Sequence, residues 1–114
     1  MTAHLFSYGT LQQPGLQETL FGRRVEGRPD RLPGYRLDML AISDPAVVAA
    51  SGLADHPIAR YTGAPGDHID GTALTLTDDE LAAADTYEVA DYTRALVPLG
   101  SGALAWVYAA THAP

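Results

Sequence analysis

The chain has no cysteine and no lysine. The first absence removes thiol nucleophiles, disulfides, thiolate zinc sites and iron–sulfur clusters. The second removes Schiff-base chemistry, pyridoxal phosphate anchoring and a Walker-type phosphate loop, since all seven cations are arginines. Positive charge is scarce altogether: 14 Asp and Glu against seven Arg give a formal net charge of -7. Nucleic acids and anionic membranes attract cationic faces, so neither is expected as a partner. No apolar run reaches the ~18 residues of a membrane helix. The opening Met1-Thr-Ala-His-Leu-Phe has no cationic stretch before an apolar one, so no secretory signal is expected and the cytoplasm is the default. What remains is a chain of 114 residues, 46% hydrophobic and 18% charged. That is one domain, residues 1–114, with enough apolar side chain to build a core.

Eleven Gly and eight Pro are spread along the chain without repeats, which suggests many short strands. Strands are expected at His4 to Tyr8, Val25 to Arg28, Tyr35 to Ile42, Ala59 to Thr62 and Ile69 to Leu76. Leu16 to Phe21 reads as one or two helical turns stopped by Gly22, and a short helix is expected over 46–50. The clearest helix begins at Thr77-Asp-Asp-Glu80, a capping-box pattern with acids at the positive end of the dipole, and runs to Glu88. Tyr92 to Leu99 and Ala103 to Ala110 alternate like strands around a three-residue Gly100-Ser-Gly102 turn. In the second, Leu104, Trp106 and Tyr108 face one way, Ala105, Val107 and Ala109 the other. Roughly six strands in so short a chain favour an α+β fold: a small, mainly antiparallel β-barrel with flanking short helices.

Three segments carry candidate chemistry. Glu88 lies on one helical stripe with Leu81, Ala84 and Asp85. A carboxylate facing a core has its pKa raised, and a like charge one turn away raises it further, as an acid/base near neutral pH requires. The bland alternative is a frayed helix end with Glu88 in solvent or paired with Arg94. Tyr8-Gly9-Thr10-Leu11 ends a strand in a way that leaves backbone N–H groups unladdered, with Gly9 free to take a positive φ. Such a loop can hold a carboxylate or an oxyanion, or can be an ordinary strand exit. Tyr92 and Arg94 share a strand face and can orient a carboxylate by a hydrogen bond and a guanidinium contact, or Arg94 can pair with Glu88 or Asp91.

Other patterns fail. Gly100-Ser-Gly-Ala-Leu-Ala105 fits G-x-G-x-x-A, but only nine residues follow it and they alternate like a strand, so it is a hairpin turn. His4, His56, His68 and His112 lack metal-ligand spacing, Asp67 and Asp70 lack the calcium-loop ladder, and no serine has a nucleophile-elbow context. Neither a metal nor a cofactor is expected.

In order along the chain, Tyr8-Gly-Thr-Leu11, Asp85-Thr-Tyr-Glu88 and Tyr92-Thr-Arg94 together resemble the gamma-glutamylcyclotransferase-like family, in its small plant and bacterial branch. Leu32-Pro-Gly-Tyr-Arg-Leu37 and Ile69-Asp-Gly-Thr-Ala-Leu74 resemble its middle strands, so the likeness spans about residues 4 to 110. Two positions depart from the pattern: Ala84 where a Leu usually precedes the Asp, and Val89 where a Gly often follows the Glu. The resemblance implies a barrel with a cavity at one end, Tyr8, Gly9, Thr10 and Leu11 binding substrate, and Glu88 as the acid/base. It implies cyclisation of a gamma-glutamyl amide to 5-oxoproline with release of the amine.

That chemistry suits the residues. The nucleophile is the substrate's own α-amine, so no protein nucleophile is needed. Folding the substrate for ring closure supplies effective molarities that can reach on the order of 10⁵ M. The expectation is therefore an enzyme acting on a small gamma-glutamyl molecule, of open oligomeric state. The alternative is a metabolite-binding barrel of the same fold without turnover.

Overall fold

The structure, a computed structural model, describes residues 2–41, 45, 46, 49, 55–87 and 92–110. Among the described residues, seven strands and two continuous helices follow in the order β1 (Thr2–Ser7), a 3-10 turn (Thr10–Gln12), α1 (Pro14–Phe21), β2 (Gly27–Pro33), β3 (Tyr35–Ala41), β4 (Asp55–Tyr61), β5 (His68–Thr77), α2 (Asp78–Tyr87), β6 (Tyr92–Pro98) and β7 (Leu104–Ala110). Local chemistry sets the helix ends. Pro14 stands in the first turn of α1, where its missing N–H has no consequence, and Gly22 closes the helix at φ 72°. At α2 the capping box forms in full. The Thr77 amide donates to Glu80 Oε1 at 2.9 Å and the Glu80 amide to Thr77 Oγ1 at 3.2 Å. The Arg23 guanidinium grips the same carboxylate through Nε and Nη2, both at 2.8 Å, tying the α1 exit to the α2 start. That grip, more than the backbone bond to Thr77, holds the Glu80 carboxyl below its ordinary range.

One sheet orders the strands β2-β5-β1-β7-β4-β3, with β6 on the other edge of β7. Four ladders are antiparallel, and β7 runs parallel to β1 and β4. The expected barrel is corrected here: the sheet does not close. β7 shares one edge between β1, at Trp106 and Val107, and β4, at Ala109, while β6 fills the other edge. The path then ends in β2 and β3, which are consecutive in the chain but not laddered to each other. The chain turns between them at Gly34 (φ 81°), whose carbonyl receives the Thr62 and Gly63 amides. β2 also carries Pro29 and Pro33, which lack the N–H that a further ladder needs and belong on an edge. Those prolines hide β2 from a pattern of alternation, which accounts for its expected place at Val25 to Arg28.

The sheet buries both faces. Phe6, Leu32, Ala59, Ile69, Ala73, Leu99, Ala105, Val107 and Ala109 pack on one side. Leu5, Leu74, Leu76 and Tyr108 pack on the other against Leu11, Leu16, Leu81 and Ala84 of the helical segments. The expected alternation of β7 therefore holds across this division, with Ala105, Val107 and Ala109 on one side and Tyr108 on the other. The short helix expected over 46–50 falls largely outside the described residues. No helix among the described residues is long and apolar enough to cross a membrane.

Candidate active site

Where β1 ends, the chain breaks from its ladder after Ser7 and Thr72 and turns through Tyr8 and Gly9 into the 3-10 turn. Gly9 takes φ -135°, so the positive φ open to a glycine is not used here. A Cβ there would make a tight contact, 3.3 Å from Pro57 Cγ. The turn itself is tied down. Buried Gln17 donates to the Leu11 carbonyl at 2.8 Å and accepts from the Val25 amide at 3.1 Å. Gln12 accepts from Thr72 Oγ1 at 2.8 Å, and its amide donates to the Gly9 carbonyl at 3.2 Å. By contrast, the amide N–H groups of Gly9, Thr10 and Leu11 donate to no described group.

These residues line a cavity of about 30 Å³ with Phe6, Ser7, Tyr8, Pro57, Tyr92 and Tyr108. At ~10–15 Å³ per water centre, it holds about two waters or one small polar group. Tyrosines build its walls. The Tyr8 hydroxyl accepts the Ala59 amide at 2.9 Å and donates to the Tyr108 carbonyl, bridging β4 and β7. The Tyr92 hydroxyl donates to the Pro57 carbonyl at 2.8 Å. The Tyr87 hydroxyl, at the end of α2, lies 3.2 Å from Thr10 Oγ1.

The structure thus brings Tyr8, Gly9, Thr10, Leu11 and Tyr92 to one cavity, and Arg94 is not among its lining residues. Arg94 Nε stands 3.4 Å from Asp85 Oδ1, and its guanidinium lies 4.5 Å over the Trp106 ring. The same Asp85 oxygen accepts the Tyr108 hydroxyl at 2.6 Å. Its ion pair with α2 is therefore to Asp85. Glu88 and Asp91 lie outside the described residues. Sequence reasoning missed Pro57 and Tyr108. The pairing of Arg94 with Tyr108 in the β6–β7 register would have flagged the second; nothing local flags Pro57, which arrives from β4.

The structure is thus an α+β sheet with a small cavity at the exit of β1, lined by Tyr8, Tyr92 and Tyr108 and by the Gly9 to Leu11 turn. The family model described as "Gamma-glutamyl cyclotransferase, AIG2-like" matches residues 5–114, and the chain belongs to that family. No curated protein matches it. Among solved structures it is similar to a gamma-glutamyl cyclotransferase, at 15% identity and TM-score 0.73, over 98% of this chain and 68% of that one. An Arabidopsis thaliana protein solved in solution gives 21% identity and TM-score 0.70. The match takes in 96% of this chain and 62% of the plant protein, so the chain spans under two thirds of that relative. A uropathogenic E. coli-specific protein gives 21% identity and TM-score 0.65 over 98% of this chain and 81% of that one. At such identities the likeness concerns the fold.

Proposed function

We propose that the chain is a gamma-glutamylcyclotransferase-type enzyme, converting a gamma-glutamyl amine or amide to 5-oxoproline and the free amine, with Glu88 as general acid/base. The observation that carries this reading is the run of three adjacent amides, Gly9 to Leu11, at a cavity and without a described acceptor. Backbone donors fixed by Gln12 and Gln17 are ready for a negative oxygen without reorganising. The cavity suits one such group, a carboxylate or an oxyanion, with the rest of the substrate outside it. Family membership supports the reaction class.

The steps balance without a co-reactant. The substrate's α-ammonium gives a proton to Glu88, and its nitrogen attacks the γ-carbonyl carbon. The carbonyl oxygen becomes an oxyanion as the five-membered ring closes. Glu88 passes its proton to the leaving nitrogen and takes the second proton from the ring nitrogen; the oxyanion collapses to the carbonyl, the bond to the leaving nitrogen breaks, and the released amine takes that second proton from Glu88 to leave as ammonium. Tyr87 and Tyr92, the described residues that flank Glu88 in the chain, bear respectively on Thr10 and on the cavity. Tyr8 and Tyr92 shape the walls, and Arg94 acts at one remove by gripping the carboxylate that receives the Tyr108 hydroxyl.

The test is 5-oxoproline formation from a panel of gamma-glutamyl amines, by wild type and Glu88→Gln. Turnover of at least one substrate, lost in Glu88→Gln with folding and binding kept, is the expected result. Tight binding without turnover of any member would instead establish the metabolite-binding alternative.

A further inference from the structure

β3 ends the strand path, and no described strand covers its outer edge. An edge of seven residues offers backbone donors and acceptors to another strand unless something blunts it. Here the usual devices are weak: the segment Tyr-Arg-Leu-Asp-Met-Leu-Ala has no proline and no lysine. It also presents apolar side chains to water. Leu37 is 49% exposed and Met39 63%, on the same side as Tyr61 at 57%. Arg36 and Asp38 face the other way, each flanking Leu37.

We propose that a second copy of this chain pairs with β3, edge to edge and antiparallel, about a two-fold axis at Leu37. A two-fold pair of adjacent antiparallel strands has its axis normal to the sheet, so paired residues keep the same face. With Leu37 opposite the partner's Leu37, Tyr35 meets the partner's Met39 and Arg36 meets the partner's Asp38. Cross-strand neighbours of that kind, apolar on one face and oppositely charged on the other, are what stabilises a ladder. Charge also selects the register. Moving the axis by one residue in either direction sets Arg36 against its own copy or Asp38 against its own copy. Asp38 already receives Arg60 Nε at 2.7 Å and sits 3.9 Å from Arg36 Nη2. The pairing therefore places each Asp38 between its own Arg60 and the partner's Arg36. An interface of this design is isologous and closes as a dimer, with no free edge to propagate.

The experiment is sedimentation velocity of the full chain over a concentration series. Wild type is expected to form a dimer. Arg36→Asp alone opposes two carboxylates at each end of the ladder, and Asp38→Arg alone opposes two guanidinium groups, so each is expected to weaken dimerisation at least tenfold. Mixing the two variants restores both opposite-charge pairs, so the mixture is expected to dimerise again as a heterodimer. Arg36 is exposed, and unchanged circular dichroism and melting of Arg36→Asp exclude unfolding as the cause. A wild type that stays monomeric at the highest concentration overturns the proposal. So does a dimer indifferent to both charge reversals, or a mixture that fails to recover. None of these outcomes depends on catalysis, so the proposal and the enzymatic reading fail separately.

Discussion

The turn after β1 and the β6–β7 turn both contain glycine, and they use their backbone in opposite ways. In the β6–β7 turn every amide from Leu99 to Ala103 has an acceptor. Leu99 donates to Ala103 at 2.8 Å, Gly100 to Arg31 at 2.8 Å and Gly102 to Leu99 at 2.9 Å. Ser101 donates through its amide and hydroxyl to Asp30 at 3.2 and 2.6 Å, and the Ala103 amide reaches Ser101 Oγ at 3.4 Å. In the turn after β1, three consecutive amides donate to no described group. A buried or half-buried donor left open is costly unless something occupies it. The first loop is a closed fastening; the second is, in the proposed reading, a socket. Both are rich in small polar residues, and the closed one even fits a nucleotide-binding string. What separates them is where the N–H groups end, which the order of residues does not state.

The contrast predicts that changes at the socket act on turnover and changes at the fastenings act on stability. The largest effect is expected for Glu88→Gln, a loss of about 10²- to 10⁴-fold in 5-oxoproline formation with an unchanged melting temperature. Rates and thermal melts of the same preparation check it. Tyr8→Phe belongs to both categories. It removes the hydroxyl that accepts the Ala59 amide and donates to the Tyr108 carbonyl at the cavity. A cost of about 1–3 kcal/mol in urea unfolding is expected, together with reduced turnover.

Glu80→Ala acts on stability alone, at about 1 kcal/mol for a lost cap. Its pH dependence has a definite sign. The folded chain holds this carboxyl below its ordinary 4.5, chiefly through the Arg23 hydrogen bonds. The unfolded chain binds the proton first, so the stabilisation is complete above the ordinary range and is lost as pH falls through the folded value. Wild type and Glu80→Ala are therefore expected to converge in stability below pH 4.5. The smallest effect is expected for Asp30→Ala, under about 1 kcal/mol at this partly exposed turn. It too should shrink with acid, because the Ser101 hydroxyl, ahead of the other contacts, lowers the Asp30 carboxyl from 3.8. Turnover equal to wild type in Asp30→Ala sharpens the contrast, and a loss of turnover there breaks it.

Legibility in the sequence followed the range of the interaction. The capping box spans three residues, and Thr77 and Glu80 make it as written. The β6–β7 hairpin was readable because its alternation and its turn are adjacent, and Tyr92 pairs with Ala110 through to Pro98 with Leu104. The helical stripe from Leu81 through Ala84 does face the core. β2 was misplaced because Pro29 and Pro33 erase its alternation, while the feature that makes it a strand, pairing with β5, lies some forty residues away. Arg94 looked like a ligand contact because Tyr92 shares its face. One step along β6 takes it past the cavity to Asp85 and Trp106.

The residues alone determined what this chain has to work with: an acid on a helical stripe, a glycine-containing strand exit, and no cysteine or lysine for covalent catalysis. They also determined the local elements, since caps, turns and alternation act between neighbours a few positions apart. Only the tertiary structure decided that the sheet stays open, that Pro57 and Tyr108 line the cavity, and that the Gly9 to Leu11 amides find no acceptor among the described residues. Those outcomes depend on which strand edges meet, and that is settled by the packing of two sheet faces drawn from the whole chain.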